Sequence, residues 1–344
     1  MLIDAGLTGD LAGAPAEAAR LRASGYDGLW SAELAHDPFL PLARAADEAA
    51  PLELGTSIAV AFARTPMTVA NTSWDLQALS GGRFVLGLGS QVKGHIERRF
   101  SMPWSHPAPR MREFVLALRA IWGSWQHSTS LDFRGEYYTH TLMTPNFDPG
   151  PLPSGPPKVV LAAVGRAMTR VAAEVADGLL VHGFTTPRYV REVTLPTLEE
   201  GLAAAGRPRS EFEVKYAPFV VTGRTEEEMA RSADIARERI AFYGSTPAYR
   251  GVFEVHGWHG LQEDLNVLAR KGEWKAMGRL VDDEVLGAFA VVAPADELPA
   301  AFGRWVAGLA DRTGFAVPGV TDPDQVREQL DEVRRAASHA SPGA

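Results

Sequence analysis

Leu54-Gly55-Thr56-Ser57-Ile58-Ala59-Val60 and Arg83-Phe84-Val85-Leu86-Gly87-Leu88-Gly89 are two short apolar runs. A helical stretch bearing Ala70, Trp74, Gln77 and Leu79 joins them and stops at Ser80-Gly81-Gly82. Neither run alternates apolar with polar residues, so each reads as a strand buried on both faces, as in a parallel sheet. Each then opens into small and polar residues: Ala61-Phe62-Ala63-Arg64 after the first, Ser90-Gln91-Val92-Lys93-Gly94-His95 after the second. The carboxyl ends of parallel strands are where α/β folds bind ligands.

The same alternation continues outward in both directions. Strands are expected at Leu2–Gly6, Gly28–Ala32, Leu52–Val60, Phe84–Gly89, Lys158–Ala163, Gly178–His182, Glu213–Val221 and Thr313–Val317. Helices fall between them: one begins at Pro15 and closes at Gly25, and others are expected over 110–126, 187–205 and 322–337. Eight strand–helix units in 344 residues favour a closed (β/α)8 TIM barrel over an open sheet. One domain over 1–344 is expected, with insertions near 90–109, 128–157 (a hairpin at Leu131–Tyr138) and 241–286, the last largely helical.

Composition narrows the function classes. The chain is 46% hydrophobic and 22% charged, as in a water-soluble globular protein. No apolar run reaches the roughly 18–20 residues that span a bilayer. The start, Met1-Leu2-Ile3-Asp4, lacks the regions of a signal peptide, so no membrane role and a cytoplasmic location are expected. A net charge of −8 argues against nucleic acid as a partner. With no cysteine there is no thiolate nucleophile, disulfide or Cys-ligated metal. Gly87-Leu88-Gly89 lacks the third glycine and following acidic residue of a dinucleotide fingerprint.

Several residues could carry chemistry. Glu33 follows the second strand and, as a carboxylate beside a buried run, needs a partner. Nearby Asp37 before Pro38 reads as a helix cap. Ser57-Ile58 is either a bulge that pushes backbone into the ligand space or a tight strand end. Ala163-Val164-Gly165-Arg166-Ala167 passes from strand to helix through one glycine; free N–H groups there either hold a phosphate or form an ordinary turn. His256 and His259 are three apart without an evident third ligand, so no metal is expected. Aromatics in the long loops, Phe62, Trp104, Phe184 and Trp258, fit either an apolar pocket or core.

Together, Gly25-Tyr26-Asp27-Gly28-Leu29-Trp30 with Glu33, Leu54–Ile58, Leu79–Gly89, the run Gln91–Phe100 and Ala176-Asp177-Gly178 resemble the luciferase-like monooxygenase superfamily. Within it they resemble the branch of oxidoreductases dependent on the deazaflavin coenzyme F420. The resemblance implies a bacterial-luciferase-like barrel with the coenzyme across the strand ends. It places a non-prolyl cis peptide at Ser57–Ile58, with Ala59 beside it, behind the coenzyme ring. It makes Glu33 and His95 catalytic candidates near the ring. Ser90, Gln91 and Lys93 become coenzyme contacts, and Gly165, Arg166 and Ala167 the phosphate-binding turn. Lys93, Arg98 and Arg99 would meet the coenzyme's oligoglutamate tail, or form a solvated face.

In one respect the chain departs from the pattern. Some relatives carry a proton-transferring histidine directly after the acidic residue, where this chain has Leu34. The proton handler is therefore open among His36, His95, His182 and His256. The expected activity is hydride transfer between F420 and a small organic substrate, in a homodimer. FMN-dependent monooxygenation on the same fold and non-catalytic coenzyme binding are the alternatives.

Overall fold

The structure, a computed structural model, describes residues 1–340. Eight parallel strands form the barrel: β1 Leu2–Gly6, β2 Gly28–Ser31, β3 Glu53–Thr56, β4 Phe84–Gly89, β5 Lys158–Ala163, β6 Gly178–Val181, β7 Glu213–Tyr216 and β8 Arg312–Gly314. Each pairs with its neighbours in sequence, and β8 pairs with β1, so the sheet closes. The barrel of the sequence expectation is the barrel observed. Helices pack outside it, and the core between strands and helices holds Leu29, Leu54, Phe84, Leu86, Val159, Leu161 and Leu179.

The barrel's interior has two parts. Trp30, Val85, Val160 and Leu180 form an apolar layer. Trp30 lies flat against Gly55, where any Cβ would come within 2.5 Å of its ring, so only glycine admits the indole. Toward the amino-terminal end the filling is ionic. Asp4 accepts from Arg312 Nη1 at 2.6 Å and Lys215 Nζ at 2.7 Å, while Arg312 also pairs with Glu53 and Glu213. Lys215 Nζ sits 3.7 Å from the centre of the Trp30 ring. Burial pushes Lys215 down to about 8, against the pull of Asp4.

Several local expectations change; the last strand, expected over Thr313–Val317, runs Arg312–Gly314. The strand expected over Glu213–Val221 breaks after Tyr216, because Pro218 has no N–H and restricts Ala217 before it. Phe219–Val221 pairs instead with Ala290–Val292, a strand not anticipated from sequence. The hairpin pairs Phe133–Arg134 with Thr139–His140, displaced from Leu131–Tyr138. The N–H groups of Glu136, Tyr137 and Tyr138 are taken by the Glu113 carboxylate, on the helix Pro107–His127. The helix expected over 187–205 contains a π turn at Val190–Thr194, next to Pro196, which lacks the N–H needed for regular bonding.

Between Val221 and Ala290 the chain is mostly helical: Glu226–Gly244, Arg250–Glu254, Leu261–Lys271, Trp274–Gly278 and Asp283–Phe289. These helices close around their own apolar cluster, which includes Phe184, Ile240, Phe253 and Phe289. Among the described residues no helix is long and apolar enough to cross a membrane.

Candidate active site

The carboxyl ends of β2 to β6 bring most of the candidate residues to one face. β3 stops at Thr56 and the strand resumes as Ala59–Val60, which pairs with Leu88–Gly89. The intervening Ser57–Ile58 peptide is cis, the conformation the resemblance implies. Around this break a side chain replaces part of the backbone ladder: Thr56 Oγ1 donates to the Gly87 carbonyl at 2.7 Å and accepts from its N–H at 2.9 Å. Ile58 leans on Gly89, where a Cβ would sit 2.8 Å from Cδ1 of Ile58. Small residues at the end of β4 therefore make room for the displaced segment.

Glu33 is buried behind that segment. Its Oε2 accepts from Val60 N–H at 2.7 Å and from Arg64 Nη1 at 2.6 Å. Its own N–H donates to the Ile58 carbonyl at 3.2 Å. Oε1 has no hydrogen-bond partner among the described residues. Arg64 also reaches Asp37 Oδ2 at 3.2 Å and lies 5.4 Å from the centre of the Phe39 ring. The other oxygen of Asp37 accepts from the N–H groups of Phe39 and Leu40, so Asp37 satisfies the start of that helix from one residue before its N-cap, Pro38. Arg64 was not singled out in the sequence, although the need of Glu33 for a partner and the arginine closing Ala61–Arg64 were both legible.

Beyond β4, Gln91 has a positive φ of 61° and its Oε1 accepts from the Val92 N–H. Ser90 Oγ donates to the Gln91 carbonyl. The short helix Lys93–Arg98 follows and carries His95 inward, with its Nδ1 buried and unpartnered. Lys93 points to solvent and pairs at 3.8 Å with Glu97. Arg99 donates to the Leu34 carbonyl at 2.6 Å, tying this loop to the one after β2. Of the basic cluster, Arg99 is therefore a structural tether.

Past β5, Gly165 precedes the helix Arg166–Val175. Arg166 donates to Thr197 Oγ1 at 3.1 Å, and Ala167 is exposed in the first turn. The turn opens into a cavity of about 540 Å³ whose far wall comes from the helical segment after β7.

The candidate histidines separate clearly. His182 follows β6, and its Nδ1 accepts from the Phe184 N–H at 2.9 Å. Its proton in the neutral form therefore resides on Nε2. The ring stands edge-on to Tyr243, 4.7 Å between centroids, and 5.4 Å from Tyr249; burial pushes its pKa down to about 4. His256 bonds Thr186 Oγ1 at 2.8 Å and stacks on Trp258, and burial lowers it too. His36 is exposed, packed on Gly9. Phe62 and Phe184 are fully buried and serve as core; Arg110 covers the Phe62 ring at 4.5 Å. Among the described residues no group of three His, Asp or Glu side chains could hold a metal.

Glu33 Oε1 and His95 Nδ1 have no hydrogen-bond partner among the described residues, and both lie at the carboxyl end of the barrel with the turn at Gly165. Comparisons with other proteins show the family and the fold. An uncharacterized protein of Mycobacterium tuberculosis is 55% identical over 310 residues, covering 90% of this chain and 91% of the relative. The 5,10-methylenetetrahydromethanopterin reductase of Archaeoglobus fulgidus is 30% identical over 72% of this chain and 71% of its own. The solved coenzyme F420-dependent tetrahydromethanopterin reductase of Methanopyrus kandleri superposes with a TM-score of 0.74 at 20% identity, covering 95% of this chain and 96% of that one. The model of the luciferase-like monooxygenase family matches residues 4–312, and the chain belongs to that family.

Proposed function

We propose that the chain is an oxidoreductase that uses coenzyme F420 and passes a hydride between the coenzyme and a small organic substrate. The observation that carries this reading is the pairing of two features on one barrel face. One is the broken third strand with Glu33 beneath it; the other is the open cavity at Gly165–Arg166. The similarity to a methanopterin reductase supports it. The bound deazaflavin would supply the hydride chemistry, and the protein would supply placement.

In that role Ser57, Ile58 and Ala59 form the wall behind the ring, and the Glu33–Arg64 pair holds that wall in place. His95, Ser90 and Gln91 flank one edge, with Lys93 at its solvent side, while Gly165, Arg166 and Ala167 receive the phosphate through backbone N–H groups and a guanidinium. His182, fixed as a neutral Nε2–H donor, suits a hydrogen bond to an uncharged oxygen better than exchange of a proton. We further propose that two copies associate, since Leu34 and Leu40 near the mouth are largely exposed.

Titrating the purified protein with F420 and with FMN tests the coenzyme reading. Binding of F420 at least about tenfold tighter than FMN is expected, about 1.4 kcal/mol. Tight FMN binding without F420 binding would sink the proposal and favour a flavin monooxygenase. Sedimentation at micromolar concentration reads the oligomeric state; a monomer there removes the homodimer.

A further inference from the structure

β6 delivers a second set of unpartnered atoms to the carboxyl end of the barrel. His182 directly follows Val181, and its N–H reaches the Ala163 carbonyl at the end of β5, 3.4 Å away. The Phe184 N–H holds its Nδ1, so the ring proton of the neutral form is on Nε2. Nε2 has no hydrogen-bond partner among the described residues, yet it is not sealed from solvent. Two phenols from the helical segment after Val221 stand beside it, Tyr243 edge-on at 4.7 Å between ring centroids and Tyr249 at 5.4 Å. Neither hydroxyl has a hydrogen-bond partner among the described residues, and neither is sealed from solvent. Tyr243 adds to the rise of the Tyr249 phenol, so the two hydroxyls lie near each other. Of the three residues only Tyr249 also lines the cavity at Gly165, so the group adjoins the phosphate turn without belonging to it.

The group carries no formal charge. Burial alone pushes His182 down to about 4, and burial together with Tyr243 pushes Tyr249 up to about 12; no charged side chain acts on either. Arg250, next to Tyr249 in the chain, is exposed and taken up by Glu254 at 2.8 Å and Glu263 at 2.9 Å. A ligand oxygen here therefore meets neutral donors and aromatic surface. A carboxylate or phosphate would give up its hydration with no cation to replace it, and an ammonium would meet no carboxylate. An uncharged oxygen has far less hydration to lose and gains the same donors.

We infer that His182, Tyr243 and Tyr249 form the subsite for the substrate's oxygen, and that they select an uncharged carbonyl compound or its alcohol over substrates bearing a carboxylate or phosphate. The inference rests on the reading that a coenzyme ring lies across the carboxyl ends of the strands, which leaves the substrate between that ring and the helical segment. His182 is then a specificity-determining donor.

Benzamide and benzoate isolate the effect of charge, since both carry a planar oxygen-bearing group on the same ring and neither is consumed by hydride transfer. In protein isotope-labelled at its histidine nitrogens, the Nε2 resonance of His182, identified by its loss in His182→Asn, reports binding at neutral pH without coenzyme. Benzamide is expected to shift it with a Kd at least about tenfold below that of benzoate. Tyr243→Phe and Tyr249→Phe keep both rings, and each should weaken benzamide about threefold to tenfold. Equal affinities, no shift with either compound, or unchanged benzamide affinity in both phenylalanine variants overturns the inference. F420 titrated in parallel separates the two claims. If F420 fails to bind while the benzamide preference persists, the coenzyme reading falls and the neutral-oxygen selectivity stands. If F420 binds and benzoate matches benzamide, the reverse holds.

Discussion

At the scale of single residues, His182 shows how one backbone N–H decides what a side chain can do. The Phe184 N–H occupies Nδ1, so protonating the ring would require breaking that bond and charging a group enclosed by Tyr243 and Tyr249. The folded pKa of about 4 lies below the ordinary value of 6.5. Between those values the unfolded chain binds a proton that the folded chain refuses. The stability this contributes is complete above pH 6.5 and is lost as pH falls toward 4, by about 3 kcal/mol in all. Asn at this position offers an oxygen where Nδ1 stood and cannot titrate. His182→Asn should therefore flatten the fall in urea-denaturation stability between pH 6.5 and 4; an unchanged slope would assign that proton uptake elsewhere. The importance of Glu33 was legible in sequence because a carboxylate after a buried strand needs a partner. The identity of that partner, Arg64, was not, since it depends on how the chain turns after Val60.

At the scale of elements, boundaries were most legible where apolar runs are continuous and both faces are buried. Leu2–Gly6, Phe84–Gly89 and Lys158–Ala163 begin and end where their composition changes. Ala290–Val292 was hidden because it continues without a break from the apolar helix Asp283–Phe289, and only its pairing with Phe219–Val221 makes it a strand. The hairpin illustrates the other limit: its register is set by a carboxylate more than twenty residues away in sequence. Glu113 accepts three consecutive N–H groups, from Glu136 at 2.8 Å, Tyr137 at 2.6 Å and Tyr138 at 2.5 Å. Glu113→Ala removes that acceptor and leaves the turn to solvent. Amide exchange at Glu136–Tyr138 should then speed up roughly thirtyfold, equivalent to about 2 kcal/mol, with the barrel amides unaffected. Equal acceleration throughout the chain would mean that Glu113 supports the whole fold rather than the hairpin.

At the scale of the whole molecule, the barrel divides its work between its two ends. The carboxyl end holds the broken strand, the unpartnered Glu33 and His95 atoms, and the Gly165 cavity. The amino-terminal end is filled by Asp4, Lys215 and Arg312, with Glu53 and Glu213 at the rim. Sequence gave no hint of that plug, because its members come from β1, β3, β7 and β8 and meet only when the barrel closes. Asp4 accepts from both cations and is 1% exposed, so Asp4→Ala leaves a buried ammonium without its carboxylate. Such a deletion is expected to cost about 3–5 kcal/mol in chemical denaturation. Lys215→Met alone leaves Asp4 bonded to Arg312 and should cost less. Combining the two should fall short of the sum by about 1–3 kcal/mol, the signature of a direct pair. Because the plug lies at the far end from the candidate site, folded Asp4→Ala protein should keep whatever F420 affinity the wild type shows, on the function proposed above. Additive costs would show that Asp4 and Lys215 act independently, and a matching loss of coenzyme affinity would show that the apolar layer of Trp30, Val85, Val160 and Leu180 transmits changes from one end of the barrel to the other.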